Sequence, residues 1–137
     1  MDWKYLLTSF EGRINRQPFW LSLLAMMIVT WILQFALFSI FGVNMMAVDP
    51  NAAPEAAAAA AMESMSKMAL PLGILCLVVL WPALAIYTKR WHDRDKSGWW
   101  SLIMFVPIIG SIWFLVELGF LRGTDGPNRF GPNTLED

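Results

Sequence analysis

His92 and Asp93 are the pair in this sequence best suited to moving a proton, a ring nitrogen beside a carboxylate. They stand inside Lys89-Arg-Trp-His-Asp-Arg-Asp-Lys-Ser-Gly-Trp-Trp100, which also holds the only histidine of the chain. Work on a lipid-linked phosphate would use His92 as acid–base, with a carboxylate to orient its ring. Adjacent residues on a helix point about 100° apart and do not face each other, so Asp93 is poorly set for that task. Asp95 or a carboxylate from elsewhere is the alternative. A metal centre needs three or four convergent ligands. With one histidine and one cysteine, neither a metal nor a cofactor is expected. No nucleophile motif, Gly-rich phosphate loop or dinucleotide fingerprint occurs.

The same stretch offers a second chemistry, the binding of anionic lipid headgroups. Lys89, Arg90, Arg94 and Lys96, with Arg13 and Arg16 upstream, make six cations. Each Lys or Arg near an anionic surface adds about 1 kcal/mol, and an arginine grips a phosphate through two parallel hydrogen bonds. Arg13, Arg16, Lys89, Arg90, His92 and Arg94 are therefore candidate lipid or anion contacts. Asp93 and Asp95 oppose a purely electrostatic role and imply that some arginines are held by internal pairs. The i, i+4 spacing of Lys89 and Asp93 permits one such pair if a helix continues into this stretch.

The elements around these residues are apolar. Residues 19–41 and 69–88 carry no charge, and 98–121 carries only Glu117. At 1.5 Å per residue the first run reaches about 34 Å, enough for a hydrocarbon core of about 30 Å. Lipid offers no partner for free amides, so a single crossing must be helical. Hydrophobic residues make up 57% and charged ones 15% of the 137 residues, well below the quarter usual for soluble domains. With a net charge of −1, no global field recruits nucleic acid. Cys76, alone, excludes an intrachain disulfide. The expected object is an all-α, multi-pass membrane protein of a single domain with spans at about 19–41, 69–88 and 98–121.

Ahead of the first span, residues 1–18 form an interfacial segment. Trp3, Leu6, Leu7 and Phe10 make one apolar stripe of a short helix, and Gly12 permits a chain reversal. Asn15 suits the N-cap of the first span, with Ile14 and Phe19 spaced as a hydrophobic staple. The connection 42–68 is Ala-rich, and Pro54 suits the start of a helix that prolongs the second span. Pro82 is expected to kink that span. The tail 122–137 is turn chemistry without periodicity.

Intramembrane polar groups are candidates for function by default. Gln34, one turn from Thr30, and Glu117 fill that place. Three full crossings put seven basic residues on the side of the N-terminus and the 89–97 loop, and three on the other; the positive-inside rule makes the first side cytoplasmic. If Pro107 and Gly110 instead break the last run into a re-entrant hairpin, the division becomes nine to one. Three crossings are the expectation, because each half of such a hairpin is only about ten residues long and too short to span.

Four phrases carry a family resemblance. Phe10-Glu-Gly-Arg13 with Arg16 and Phe19-Trp20 precedes the first span. Arg90-Trp-His92-Asp93 with Ser97-Gly-Trp-Trp100 follows the second, then come Pro107-Ile-Ile-Gly110 and Gly126-Pro-Asn128-Arg-Phe-Gly131-Pro132. In this order they resemble a bacterial inner-membrane family catalogued as domain of unknown function 805. Arg94 and Asp95 depart from it, since that family commonly has a small turn residue and a glycine there. The resemblance implies a bacterial inner (cytoplasmic) membrane location and brings no activity. The leading expectation is a non-enzymatic component that associates with lipids or another membrane protein through a basic cytoplasmic face. A homo-oligomeric channel or small-solute transporter is the rival, and it would turn Gln34 and Glu117 to a shared axis. A membrane enzyme using His92 stands third.

Overall fold

The computed structural model describes residues 2–41 and 49–135. Residues 42–48 of the Ala-rich connection and the ends of the chain lie outside them. Helices α1 (Trp3–Thr8), α2 (Arg16–Ile40) and α3 (Pro54–Asp93) come first. A 3-10 helix (Gly98–Phe105), α4 (Ile109–Leu115) and a π-helical turn (Val116–Phe120) follow. The described residues contain no β-strand, only one isolated bridge between Asn128 and Gly131. The chain divides into two units, Met1–Met26 with Leu80–Asp137, and Met27–Val79.

The second unit is the plainer. It holds the later part of α2 and the earlier part of α3. The most apolar 18-residue stretch of α2 contains no buried residue. Trp31, Phe35, Leu70 and Leu77 are all exposed. Core helices of a soluble protein bury such a face; these are long and apolar enough to cross a bilayer and leave it uncovered. α3 starts at Pro54, where proline's missing N–H matters least, and continues unbroken through Pro71 and Pro82. Lys67 pairs with Glu63 one turn away, at 2.8 Å.

The first unit carries the core: Leu6, Ile14, Phe19, Ile86, Trp91, Phe114 and Leu118. Asn15 accepts the Arg16 amide at 2.7 Å, and the staple residues Ile14 and Phe19 are both buried. Gly12 turns the chain at φ +85°, and the side chain of Tyr5 occupies the space where a Cβ would stand. α3 runs through the expected 89–97 loop as far as Asp93, leaving only 94–97 to connect. It stops in a Schellman turn: the Lys96 amide donates to the Trp91 carbonyl and the Asp95 amide to that of His92, each at 2.9 Å. Asp95 takes the left-handed position, φ 56°, that glycine favours.

The run 98–121 is not a third full-length helix. It breaks at Pro107-Ile108, where the Ile109 amide closes a three-residue γ-turn onto the Pro107 carbonyl at 2.7 Å. Ile108 pays for this turn with φ 63°. The two arms then lie together, so close that a Cβ on Gly110 would stand 1.8 Å from the Ile103 carbonyl oxygen. Their far ends also meet, since Glu117 pairs with Arg94 and Lys96. The segment returns to the level at which it began. Three crossings are the sequence expectation because each half of the run is too short to span alone; hydropathy is the same for a crossing and for a hairpin, and the break at Pro107-Ile108 is what shapes this run.

Gly110→Ala should therefore cost about 1–3 kcal/mol by overpacking the tip, while Ile108→Gly should gain about 1 kcal/mol or more by relieving the turn. Gly73→Ala, with open space around it, should be neutral or stabilising. Thermal unfolding in detergent micelles measures all three; equal melting temperatures for Gly110→Ala and wild type would contradict a constrained tip.

Candidate functional site

The last turn of α3 carries Lys89, Arg90, His92 and Asp93, and their side chains reach different parts of the first unit. All four are buried. Asp93 is the hub. One carboxylate oxygen accepts from Arg13 Nε at 3.2 Å, lies 3.1 Å from Arg13 Nη2, and accepts from Thr134 Oγ1 at 2.5 Å. The other oxygen accepts from Arg90. The Asp93 carbonyl takes the Thr124 amide at 2.8 Å and its hydroxyl at 3.0 Å. Gly123 is the residue that fits beside this carboxylate, because a Cβ there would stand 2.1 Å from an Asp93 oxygen.

Arg13 holds the tail. Its Nη1 donates to the carbonyls of Gly126, Gly131 and Pro132 at 2.9, 3.3 and 3.0 Å, and Nη2 to that of Thr124 at 2.8 Å. A guanidinium has five N–H donors, and here protein atoms occupy all three of its nitrogens. Lys89 does the same for α1. Its Nζ donates to the carbonyls of Tyr5, Leu6 and Ser9 at 2.8, 2.7 and 2.5 Å, which uses an ammonium's three donors on carbonyls at the end of α1, where the Tyr5 carbonyl also takes the Ser9 amide. Residue 89 lies past the charge-free run of α3, and burial pulls its amine down to about 8. The Lys89–Asp93 pair that spacing permitted does not form, because Lys89 faces α1 while Arg90, at i, i+3, takes the carboxylate.

A third set closes the π-helical turn. Five successive carbonyls, from Leu118 to Arg122, each receive a side-chain N–H. Arg90 Nε reaches Leu118 at 2.6 Å, Trp20 Nε1 reaches Gly119 at 3.1 Å, and Arg16 Nη1 reaches Phe120 at 3.1 Å. Arg90 Nη2 reaches Leu121 at 2.6 Å, and Arg94 Nη1 reaches Arg122. Positive groups at a helix C-terminus also complement its dipole.

His92 stacks on Phe130, with ring centroids 3.8 Å apart and planes within 3°. Its Nδ1 lies 3.0 Å from the Gly12 carbonyl; a carbonyl only accepts, so Nδ1 carries the hydrogen. Asn128 Nδ2 donates to the His92 carbonyl at 2.8 Å, pinning the tail turn against it. Asp93 does not orient the ring, in keeping with the geometry of adjacent helical residues. Burial, foremost, holds the His92 pKa below its ordinary value, with Arg129 and Lys89 adding to the effect and the Gly12 bond opposing it.

Of the six anion-binding candidates, Arg13, Lys89, Arg90 and His92 are thus turned inward. Arg94 is partly exposed and Arg16 exposed. Glu117 is held by Arg94 Nε at 3.0 Å and by Lys96. Gln34 lies in the other unit, half-buried. Among the described residues no group of His, Cys, Asp and Glu could hold a metal. Thr124, Asn128 and Thr134 were not anticipated as members of the cluster. The only sequence signal for them was the Gly-Pro-Asn phrasing of the tail.

Residues 7–132 match the family described as a protein of unknown function, DUF805. The chain belongs to that family. Its four phrases are the structural joints just described: Arg13 and Arg16, the last turn of α3, the hairpin tip and the tail turn. YiiR of Escherichia coli strain K12, an uncharacterized protein, is 30% identical over 160 residues, 95% of this chain and 88% of its own. YhaH of the same strain, named an inner membrane protein, is 30% identical over 138 residues, 97% of this chain and 96% of its own. YhaI, likewise named an inner membrane protein, is 45% identical over 56 residues, 40% and 46% of the two chains. No solved structure matches the chain.

Removing one partner of a buried charge cluster costs about 3–5 kcal/mol, so Asp93→Asn should lower the melting temperature sharply in detergent. His92 supplies a pH dependence. Its folded pKa is below that of the unfolded chain, so only the unfolded chain gains a proton as pH falls just below about 6.5. Stability is full above that value and declines between it and the folded pKa. His92→Gln should flatten that part of the curve of melting temperature against pH, and an unchanged slope would contradict the assignment.

Proposed function

We propose that this DUF805 member is a non-enzymatic integral component of the bacterial inner membrane that associates with lipid and with other membrane proteins, and that the ionisable groups of its polar cluster serve to hold the fold together. One observation carries the reading. Arg13, Lys89, Arg90 and Asp93, the groups richest in chemistry, have their polar atoms engaged by backbone carbonyls or by one another. Two relatives are named inner membrane proteins, and α2 and α3 leave their apolar sides uncovered. Those sides are the surface offered to lipid, to a second copy of the chain, or to a larger membrane partner.

In this reading α2 and α3 cross the bilayer and 98–121 is re-entrant. The N-terminus, residues 94–97 and the tail then share the cytoplasmic side, with nine of the ten basic residues; Lys67 stands opposite. The positive-inside rule favours this arrangement over three crossings.

Reporter fusions test the topology. A fluorescent protein at the C-terminus should fluoresce, and alkaline phosphatase there should be inactive while a fusion at residue 52 is active. Active phosphatase at the C-terminus would restore the third crossing. For the non-enzymatic reading, His92→Gln at wild-type abundance should complement any phenotype of a gene deletion. Failure to complement at full abundance would return His92 to chemistry.

A further inference from the structure

The second arm of the hairpin keeps one side open. Ile109, Ile112, Trp113, Val116 and Leu121, with Glu117, line an open groove of about 430 Å³. Its five apolar residues are all exposed. The α-helical part of the arm, Ile109–Leu115, rises about 10 Å at 1.5 Å per residue and the π-helical turn extends it by several more, against about 15 Å for half of a hydrocarbon core. The groove has the depth of one leaflet.

Its polar end is charged in a particular way. Glu117 is gripped by Arg94 and Lys96, both partly exposed. Lys96 also stands 5.2 Å from the centre of the Trp100 ring. Arg122, at the same end, is exposed and pairs with Asp125 at 3.2 Å. Three cations face two carboxylates, an excess of one positive charge at the mouth of an apolar channel. An occupant that complements both parts has a hydrocarbon tail as long as a leaflet is deep and a single negative charge at its head.

We propose that the groove seats one acyl chain of an anionic phospholipid, with its phosphodiester on Arg94 and Lys96. The site deepens the membrane reading above and rests on it. Glu117 competes with the phosphate for the same donors, so it sets the affinity: its charge keeps the two cations in place and limits how tightly a headgroup is held.

Native mass spectrometry of the full chain tests this, in nonionic detergent micelles doped with phosphatidylglycerol or with phosphatidylcholine. One phosphatidylglycerol per chain should be retained in preference to phosphatidylcholine. Lys96→Gln should weaken retention about fivefold, the factor that corresponds to one cation at an anionic surface. Ile112→Trp, which fills the groove at an exposed position, should weaken it at least as much, and Glu117→Gln should tighten it. Equal retention of the two lipids, or phosphatidylglycerol retention unchanged in Ile112→Trp, would overturn the proposal; if Lys96→Gln does not fold, Ile112→Trp decides. In each variant the C-terminal fluorescent fusion should remain membrane-bound and fluorescent. Loss of that signal from the wild-type chain would strike the membrane reading instead of the site.

Discussion

Asp93 is a carboxylate taken out of water between two guanidiniums, and the rest of the first unit is arranged around that fact. An isolated buried charge is too costly to persist, so the fold must bring Arg13 and Arg90 to it and keep them there. Arg13 arrives with the segment ahead of α2, eighty residues away in the chain. Arg90 comes from the same helix turn and carries the end of the hairpin with it. Thr124 and Thr134 bring the tail to the same point. One carboxylate thus ties together three stretches of chain that share no secondary structure.

The cations around it solve a second problem. A helical hairpin, a six-residue helix and a turn-rich tail all end with carbonyls that regular elements leave under-satisfied, and an unpaired carbonyl away from water is costly. Lys89 serves α1, Arg13 serves the tail, and Arg16, Trp20, Arg90 and Arg94 serve the π-helical turn. Charge density in this loop therefore reports broken backbone nearby as much as it reports an anionic surface. The same atoms cannot grip a carbonyl and a phosphate at once. In the proposed lipid site, headgroup chemistry falls to Arg94 and Lys96, both partly exposed, whose present partner is Glu117.

His92 illustrates why residue type alone misleads about chemistry. A histidine beside an aspartate reads as an acid–base pair, yet the ring is stacked flat on Phe130 and bonded to the Gly12 carbonyl. It closes the tail over the end of α3. Glu117 shows the converse. An acid in an apolar run reads as a functional group inside the membrane, and it proves to be the clasp between the two ends of the hairpin.

Local patterns determined much of this protein. The two long apolar helices, the helix start at Pro54, the reversal at Gly12 and the staple of Ile14 with Phe19 follow from composition and short-range spacing, and four phrases carry the resemblance to the family. Such features depend on propensity and periodicity within a few residues, which a sequence states directly. Tertiary structure alone decided that the third apolar run turns back on itself, that the tail docks on Arg13, and that four of the six expected anion-binding residues point inward. Each of these depends on which distant groups satisfy one another's charges and carbonyls. Hydropathy is blind to that choice, because a crossing and a hairpin bury the same side chains in the same lipid.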